Sequence, residues 1–494
     1  MSGSPLVQAA VVSPGKLGVP AQVQASPYLA CVDFSPVQGE YRGGVGALDE
    51  VSVADLLRNG FVYPPHSVYR DVKVAFTGFA PGQDLHAAPR FHLPYQSASV
   101  PDRPMIGAVD TDALVATYHR LLGDGVVRAV RGMDSPWLLQ SGGKDSTSLA
   151  MAVAERSPVT VCVTYAGGDE EDELESAQSV ARQLGLRHTS LICDPARAYD
   201  RYLAMVPAMP LLTADFAMLS YCDLVTHVAE AGGDGLLDGL GSDTYFGLPV
   251  SWRGRLLAAA ACRLRLAPAL FESRLVRSSF PLAYVLGTLQ MDGFERFYPG
   301  SRFTDIEVDT LFGRPIADCS RQRLELFRAD ISAAASAEAR RRISVTVIEP
   351  AVFGKGIYVA AAAGLRLAYP YCDEALRDWV MHAVPDELLI GPGQTNKMLV
   401  RRHIAQRFGQ LPYVNTKGSF RFDIRGLARR RFDQVYAFAQ QARDVLPGAP
   451  QWLERHRSRM DNKYFASKFY LLAIILPWLA GLRHDASGSG GPPA

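Results

Sequence analysis

The middle of the chain alternates short apolar runs with longer stretches in which apolar residues recur at helical spacing. Strands that alternate with helices in this way are typical of βαβ units, so we expect a mainly parallel sheet that binds its ligands at the carboxyl ends of the strands. The runs that predict strands lie directly before Ser141 and at Val159–Tyr165, His188–Cys193 and Gly235–Leu237. The helical stretches between them reach to about residue 156 and cover about residues 171–185 and 214–231.

The regions on either side of this core have different patterns. Residues 1–45 are rich in Ala, Val, Pro and Gly without a firm period, whereas Asp49–Asn59 and about residues 108–131 have helical spacing. Beyond about residue 250 the chain becomes helix-rich. The most apolar segment, Phe469–Leu482, is interrupted by Pro477 and has 14 residues, fewer than the roughly 18 that a membrane span needs. It therefore predicts a buried C-terminal helix.

The charge balance indicates what kind of partner the chain binds, and the cysteine content indicates its redox compartment. The 51 basic and 50 acidic residues nearly cancel, which argues against general binding to nucleic acid or to a membrane and favours a small-molecule or peptide partner. The seven cysteines form no C-x-x-C pair and lie mostly in apolar runs, as expected of buried thiols in a reducing compartment. The N-terminus lacks the basic start and apolar core of a signal peptide. We therefore expect a cytoplasmic protein.

The first predicted strand runs into a turn with the features of a phosphate-binding cradle. Gly142 and Gly143 allow the backbone to approach an anion, the first N–H groups of the following helix face it, and Ser141 and Ser146 can donate hydroxyl hydrogen bonds. Asp145 would repel phosphate unless a divalent cation lies between the two charges. The turn therefore indicates Mg²⁺ and a nucleoside triphosphate. It is not a Walker motif, because Gly-Lys is followed by Asp instead of Ser or Thr.

A second strand end has similar chemistry. The strand that ends at Asp238 runs into a glycine-rich turn that contains Gly241 and Asp243. Because both turns follow strands of one sheet, Asp145 and Asp243 can hold one Mg²⁺ that bridges triphosphate oxygens. Each motif alone is also compatible with an ordinary capped turn, so their weight comes from occurring together.

Further motifs follow these two in a recognisable order. Together they resemble the asparagine synthetase family, whose synthetase domain has S-G-G-x-D-S followed by G-x-G-[AS]-D-E-x-F-G. The resemblance covers about residues 50–480. The matching segments are Pro64–Val72, Ser141–Ser146, Asp172–His188, Asp238–Gly247, Tyr369–Asp373, Lys397–Arg401 and Leu411–Phe420.

The resemblance implies an α/β fold of the PP-loop type, which is also called adenine nucleotide alpha hydrolase-like. We expect a parallel sheet with helices on both faces and a helical C-terminal layer. The domains would be residues 1–110, a small truncated N-terminal domain without a glutaminase nucleophile, and residues 111–485, an ATP-dependent amide-forming domain. Residues 486–494 are expected to be a disordered tail.

The resemblance also implies a reaction and a set of roles. In this family a substrate carboxylate attacks the α phosphorus of ATP, pyrophosphate leaves, and an amine then displaces AMP to give an amide. Lys417 would stabilise the pentavalent phosphorus and the later tetrahedral carbon, and Lys397 would contact phosphate. The expected ATP-binding residues are Ser141, Gly142, Gly143, Asp145, Ser146 and Gly241, and the expected Mg²⁺ ligands are Asp145 and Asp243.

The sequence departs from the family at two positions. Ser2 stands where glutamine-dependent members have the catalytic cysteine, so glutaminase activity is not expected. Arg366 stands where the family has the glutamate that helps to deprotonate the amine, and Leu240 stands where β-lactam synthetases have a tyrosine. Arg366 cannot accept a proton at neutral pH but could clamp a second carboxylate or phosphate of an unusual substrate. The alternative is a shift in this alignment, and either Glu349 or Glu374 is then a candidate for the base.

These observations predict an AMP-forming, Mg²⁺-ATP-dependent amide ligase of specialised metabolism, such as antibiotic biosynthesis. The nucleophile would be free ammonia, ammonia from a partner protein or a substrate amine, and a homodimer is compatible with the sequence. One alternative is an intramolecular cyclase similar to β-lactam synthetases or lasso-peptide cyclases, although the short N-terminal region argues mildly against both. Another is a non-catalytic nucleotide-binding scaffold, which the joint presence of Asp145, Asp243 and Lys417 disfavours.

Overall fold

The computed structural model describes residues 21–24, 34, 47–75, 79–80, 90–91, 110–167, 173–246, 264, 266–267, 269–292, 295–297, 302–327, 347, 349–409 and 422–488. The strands are β1 (Ala21–Gln24), β2 (Val72–Ala75), β3 (Phe79–Ala80), β4 (Arg90–Phe91), β5 (Pro136–Leu139), β6 (Val161–Ala166), β7 (Arg187–Ile192), β8 (Gly235–Asp238), β9 (Arg366–Ala368), β10 (Ile390–Gly391) and β11 (Thr395–Asn396).

The helices make up most of the rest of the described chain. They are α1 (Glu50–Asn59), α2 (Thr111–Ala129), α3 (Lys144–Arg156), α4 (Leu174–Leu184), α5 (Pro195–Met205), α6 (Met218–Glu230), α7 (Ser242–Phe246), α8 (Ala269–Glu272), α9 (Arg274–Ser278), α10 (Phe280–Leu289), α11 (Asp305–Phe312), α12 (Ala317–Gln322), α13 (Glu349–Val352), α14 (Gly354–Ala362), α15 (Glu374–Ala383), α16 (Asp386–Leu389), α17 (Met398–Phe408), α18 (Ile424–Gln441), α19 (Ala449–His456) and α20 (Lys463–Gly488).

The central sheet has five parallel strands in the order β7-β6-β5-β8-β9. This confirms the expected α/β fold with a parallel sheet. The four strands that the apolar runs predict are present, and β9 is a fifth strand that the sequence pattern does not reveal. With three residues, β9 is too short to have a clear period of its own.

The path of the chain through the sheet creates one crevice at its carboxyl edge. From β5 the chain moves outward to β6 and β7, and it then returns to the other side of β5 to form β8 and β9. Because such crossovers are right-handed, the helices of the two halves cover opposite faces: α4 packs on β6 and β7, and α14 packs on β9. The order reverses between β5 and β8, which is where open α/β sheets bind their ligands.

The helices around the sheet follow the predicted pattern closely, with one addition. Helices α1, α2, α3, α4 and α6 lie where the sequence predicts them, within a few residues at each end. The addition is α5, which begins after Asp194; the side chain of Asp194 accepts a hydrogen bond from Ala196 N, and Pro195 is the first helical residue. An acidic cap followed by proline is a helix-start signal that could have predicted this helix.

The C-terminal helix α20 is longer than its apolar segment suggests. It begins at Lys463 and continues to Gly488, into the segment that the sequence predicts to be a disordered tail. Its first 20 residues are long and apolar enough to cross a membrane, but 94% of the apolar stretch is buried inside the protein. The length argument against a membrane span was therefore wrong, while the buried helix that it supported is present.

Pro477 lies inside α20 without ending it. A proline has no N–H, so the carbonyl four residues earlier loses its usual helical donor. That carbonyl belongs to Ala473, and it accepts a hydrogen bond from Tyr199 Oη at 3.2 Å, while Tyr202 Oη donates to the carbonyl of Ile474 at 2.5 Å. Helix α5 therefore supplies a hydrogen bond to the one carbonyl that Pro477 leaves without a helical donor, and a second hydrogen bond to the carbonyl next to it.

Candidate active site

The cradle connects β5 to α3 and is held together by its own serines. Ser146 Oγ donates to the carbonyl of Ser141 at 2.7 Å and accepts from Ser141 N at 3.1 Å. Gly143 is the N-cap of α3, and no side chain caps it. The helix therefore begins without a side-chain acceptor over its first turn, as an anion-binding helix N-terminus requires.

Gly142 is required by the packing of the cradle. A Cβ atom at this position would lie 2.8 Å from both the Cβ and the carbonyl oxygen of Glu173, which precedes α4. Contacts this short cannot be relieved by a side-chain rotation alone, because one partner is backbone. Glu173 therefore lies directly against the cradle, and only glycine fits at position 142.

The second turn, after β8, is built in the same way. Leu240 N donates to Asp238 Oδ1 at 3.0 Å, and Gly241 has a left-handed backbone with φ of 99°. A Cβ at Gly241 would lie 2.5 Å from Cys372 Sγ, so both conformation and space require glycine. The two turns are neighbours, since the position of a Cβ on Gly239 is 3.6 Å from Ser146 N.

Lys397 joins the two acidic turns. Its Nζ lies 2.8 Å from Asp145 Oδ2 and 2.9 Å from Ser242 Oγ, and it also contacts Asp243 Oδ1. The Lys397 side chain is completely buried, whereas the Asp243 side chain is 54% exposed. Burial alone would lower the pKa of Lys397, but the two carboxylates outweigh it and the pKa is raised. The lysine is therefore a fully charged ammonium between two carboxylates.

The backbone of Lys397 is strained. Its φ is 58°, a left-handed value that is unusual for a residue with a side chain, and among the described residues no other non-glycine has a positive φ. Lys397 N donates to the carbonyl of Leu389 at 2.6 Å, and α17 begins immediately afterwards at Met398. Such strain persists where the surrounding structure imposes it, and it concentrates at functional sites.

The acidic pair has the right donors for Mg²⁺. Asp145 and Asp243 touch the same nitrogen atom, so one cation can reach both carboxylates. The described residues contain no group of three or more His, Cys, Asp or Glu placed to hold a metal. Mg²⁺ is commonly bound by one or two carboxylates together with water and substrate phosphates, so the residues fit a metal that arrives with a nucleotide.

A chain of buried hydrogen bonds supports the cradle helix from behind. Tyr371 Oη donates to the carbonyl of Asp145 at 2.9 Å, Tyr118 Oη donates to Tyr371 Oη at 3.2 Å, and Ser148 Oγ lies 2.8 Å from Tyr118 Oη. His403 Nδ1 lies 2.9 Å from Ser148 Oγ. Because each hydroxyl has one proton, this order makes Ser148 the donor to Tyr118 and His403 Nδ1–H the donor to Ser148.

His403 is neutral in this chain. Burial, and then the neighbouring His119, lower the pKa of His403 to about 3. His403 Nε2 lies 2.9 Å from His119 Nδ1, which makes Nε2 the acceptor. Sequence reasoning missed the supporting role of these residues, although Tyr371 lies within the Tyr369–Asp373 motif and His403 lies two residues after the Lys397–Arg401 motif.

Arg366 is not at the site. It is the first residue of β9 and pairs with Gly235, the first residue of β8, so it lies at the amino edge of the sheet. Its guanidinium donates to the carbonyl of Arg131 at 3.3 Å. The cradle is at the opposite, carboxyl edge, so the expectation that Arg366 clamps a substrate group was wrong. A position counted from a motif does not reveal at which end of a short strand the residue lies.

Some of the remaining candidate residues lie in the part of the chain that the structure describes, and others do not. Glu374 begins α15 with its side chain 80% exposed, and Leu240 follows Asp238 in the second turn. Ser2 and Lys417, with the whole Leu411–Phe420 segment, lie outside the described residues. The position of Lys417 relative to the cradle therefore remains a prediction from the sequence.

Comparison with known proteins gives one family match. Residues 117–422, more than half of the chain, match the family described as asparagine synthase. Among solved structures, the chain is similar to the NMN synthetase from Francisella tularensis at 15% identity, covering 47% of this chain and 96% of the other, with a TM-score of 0.22. A TM-score this low supports no argument about this chain. No curated protein matches the sequence.

Proposed function

The chain belongs to the asparagine synthase family, and on that premise we propose that it is an AMP-forming amide ligase. This family uses ATP, which supports an ATP-dependent carbon–nitrogen ligase in general. The single observation that favours the finer proposal is the contact of Lys397 with both Asp145 and Asp243. Two carboxylates and a mobile cation at the switch point of the sheet suit a reaction that separates pyrophosphate from an adenylated carboxylate.

In this proposal the chain's own residues bind and orient ATP. The N-terminus of α3 and the serine hydroxyls of the cradle receive phosphate oxygens, and the absence of a side chain at Gly142 and Gly241 lets the two turns pack against Glu173 and Cys372. Asp145 and Asp243 would hold Mg²⁺, which neutralises phosphate charge when it is bound. Lys397 would move from these carboxylates to phosphate, and Lys417 would stabilise the phosphorane and the tetrahedral carbon.

The acceptor and the biological setting are part of the same proposal. The substrate would be a small-molecule or peptide carboxylate in specialised metabolism, and the nucleophile would be ammonia or an amine. A cytoplasmic location fits the cysteine usage of the chain. Because Arg366 replaces the family's glutamate and cannot accept a proton at neutral pH, another group or the substrate itself has to deprotonate the amine.

The experiment that tests the proposal separates the two half-reactions. Exchange of labelled pyrophosphate into ATP, measured with a panel of carboxylates and without amine, detects adenylation alone. Adding ammonia or amines and measuring AMP then detects amide formation. A product that has lost water without gaining the added amine would identify an intramolecular cyclase.

The variants Asp243→Ala and Lys417→Ala should lose exchange, with Arg366→Ala as the control at the opposite edge of the sheet. Loss of a group that acts on the transition state costs about 3 kcal/mol or more, about a hundredfold in rate. Formation of ADP and phosphate, or full exchange in Asp243→Ala, would contradict the proposal. Nucleotide binding without exchange on any carboxylate would favour the non-catalytic scaffold.

A further inference from the structure

The ammonium of Lys397 is completely satisfied where it lies. A protonated lysine has three N–H donors, and Nζ has three oxygen partners, on Asp145, Asp243 and Ser242. The side chain is fully buried, so solvent does not compete for these hydrogen bonds. The position between the two carboxylates is therefore filled by a cation that belongs to the protein.

This position is also the one that a divalent cation would take. A metal ion that bound both carboxylates would lie within a few ångströms of the buried ammonium, and two cations at that separation repel each other strongly. Asp145 is almost buried and Asp243 is about half exposed, so the pair has one solvent side from which an ion can approach. Metal binding consequently requires Lys397 to leave.

The structure indicates how Lys397 can leave. Its backbone is fixed by the left-handed conformation, by the hydrogen bond to Leu389 and by the start of α17. The movable part is the four-carbon side chain, which can rotate about its own bonds. A buried ammonium needs new acceptors when it moves, and phosphate oxygens over the cradle would supply them.

We propose that Lys397 is a resident cation that keeps divalent metal out of the Asp145–Asp243 site until a triphosphate is bound. Metal and nucleotide then enter together, and a metal-first order is blocked. The inference rests on the proposed use of Mg²⁺-ATP, but it concerns the protein without nucleotide. The sequence predicts that Lys397 contacts phosphate; in this inference Lys397 also determines when the metal can bind.

The test measures Mn²⁺ binding to the nucleotide-free protein by electron paramagnetic resonance. Wild-type protein should bind Mn²⁺ weakly, and Lys397→Met should bind it at least about tenfold more tightly, because the carboxylates lose their counter-ion. The double variant Lys397→Met/Asp243→Asn should lose that gain. Adding a non-hydrolysable ATP analogue to wild-type protein should also produce tight Mn²⁺ binding.

Lys144→Met is the matched control. Lys144 is the first residue of α3 and carries the same charge beside the same acidic pair, but among the described residues it forms no ion pair with Asp145 or Asp243. Its removal takes away one positive charge near the pair but no direct contact with either carboxylate, so Mn²⁺ affinity should change by no more than about threefold. Thermal melting and circular dichroism confirm that each variant is folded, and Lys397→Gln replaces Lys397→Met if the latter is not.

Two results would overturn the inference. One is tight Mn²⁺ binding to the nucleotide-free wild-type protein, which needs no variant to observe. The other is a folded Lys397→Met or Lys397→Gln protein that gains no Mn²⁺ affinity over Lys144→Met. Pyrophosphate exchange tests the proposed function separately. If wild-type protein shows no exchange but Lys397→Met gains Mn²⁺ affinity, the ligase proposal is rejected and the inference about Lys397 stands.

Discussion

The neutral, buried His403 predicts a specific loss of stability in acid. In the unfolded chain its imidazole titrates near the ordinary value of 6.5, whereas in the folded protein the pKa is lowered to about 3. The folded state therefore binds fewer protons than the unfolded state between these values. The contribution of His403 to stability is complete above pH 6.5 and is lost as the pH falls toward 3.

The size of the effect follows from the two pKa values. Each pH unit below 6.5 costs about 1.4 kcal/mol, so at pH 5 the unfolded state gains about 2 kcal/mol relative to the folded state from this one side chain. His403→Asn removes the titration and keeps an amide donor near Ser148. The exposed His382 on α15 offers the matched control, His382→Asn.

The assay is urea unfolding of the three proteins at pH 7 and at pH 5. His403→Asn will be less stable than wild type at pH 7, because it loses packing and the hydrogen bond to His119. The informative quantity is the decrease in the free energy of unfolding of each protein between pH 7 and pH 5. Wild type and His382→Asn should lose about 2 kcal/mol more than His403→Asn. Equal losses in all three proteins would refute the assignment of His403 as a neutral group that resists protonation.

Three further predictions concern the site and its surroundings. Gly142→Ala should abolish ATP binding measured by calorimetry, since its Cβ would lie 2.8 Å from the Glu173 backbone, while Gly239→Ala, with its nearest atom at 3.6 Å, should retain binding. Tyr371→Phe should lower the free energy of unfolding by about 1 kcal/mol and weaken ATP binding, because the first turn of α3 loses a hydrogen bond. If neither the stability nor the ATP affinity changes, Tyr371 does not stabilise the cradle. Arg366→Ala should leave pyrophosphate exchange unchanged, and a large loss would place Arg366 at the site after all.

The parts of the site that the sequence predicts are the local ones. A strand, a glycine-rich turn and a helix are specified by neighbouring residues, so the cradle at Ser141–Ser146 and the second turn at Gly241–Asp243 are predictable from their own short segments. That both turns lie at the carboxyl edge of one sheet follows from the alternation of strands and helices. The order of the strands in the sheet, and the direct contact between the two turns, cannot be read from these segments and come from the fold.

The parts that the sequence does not predict depend on distant segments meeting. Lys397 contacts Asp145 across 252 positions, and no local pattern indicates that its ammonium fills the acidic pair. The hydrogen bonds of Tyr371 and His403 join residues that are far apart in the sequence, so they form only when α2, α3 and α17 pack together. Arg366 was misplaced for the same reason, because the length and direction of β9 come from its pairing with β8.

The mutual dependence of α5 and α20 has a consequence for how the protein is made. Every strand of the central sheet has been translated by Ala368, yet the tyrosine hydroxyls of α5 meet their acceptors only when Ala473 and Ile474 have left the ribosome. Until then the surface that α20 will cover stays open to solvent, and exposed apolar surface on a growing chain favours association with other chains. We therefore expect the contact between α5 and α20 to form late in synthesis.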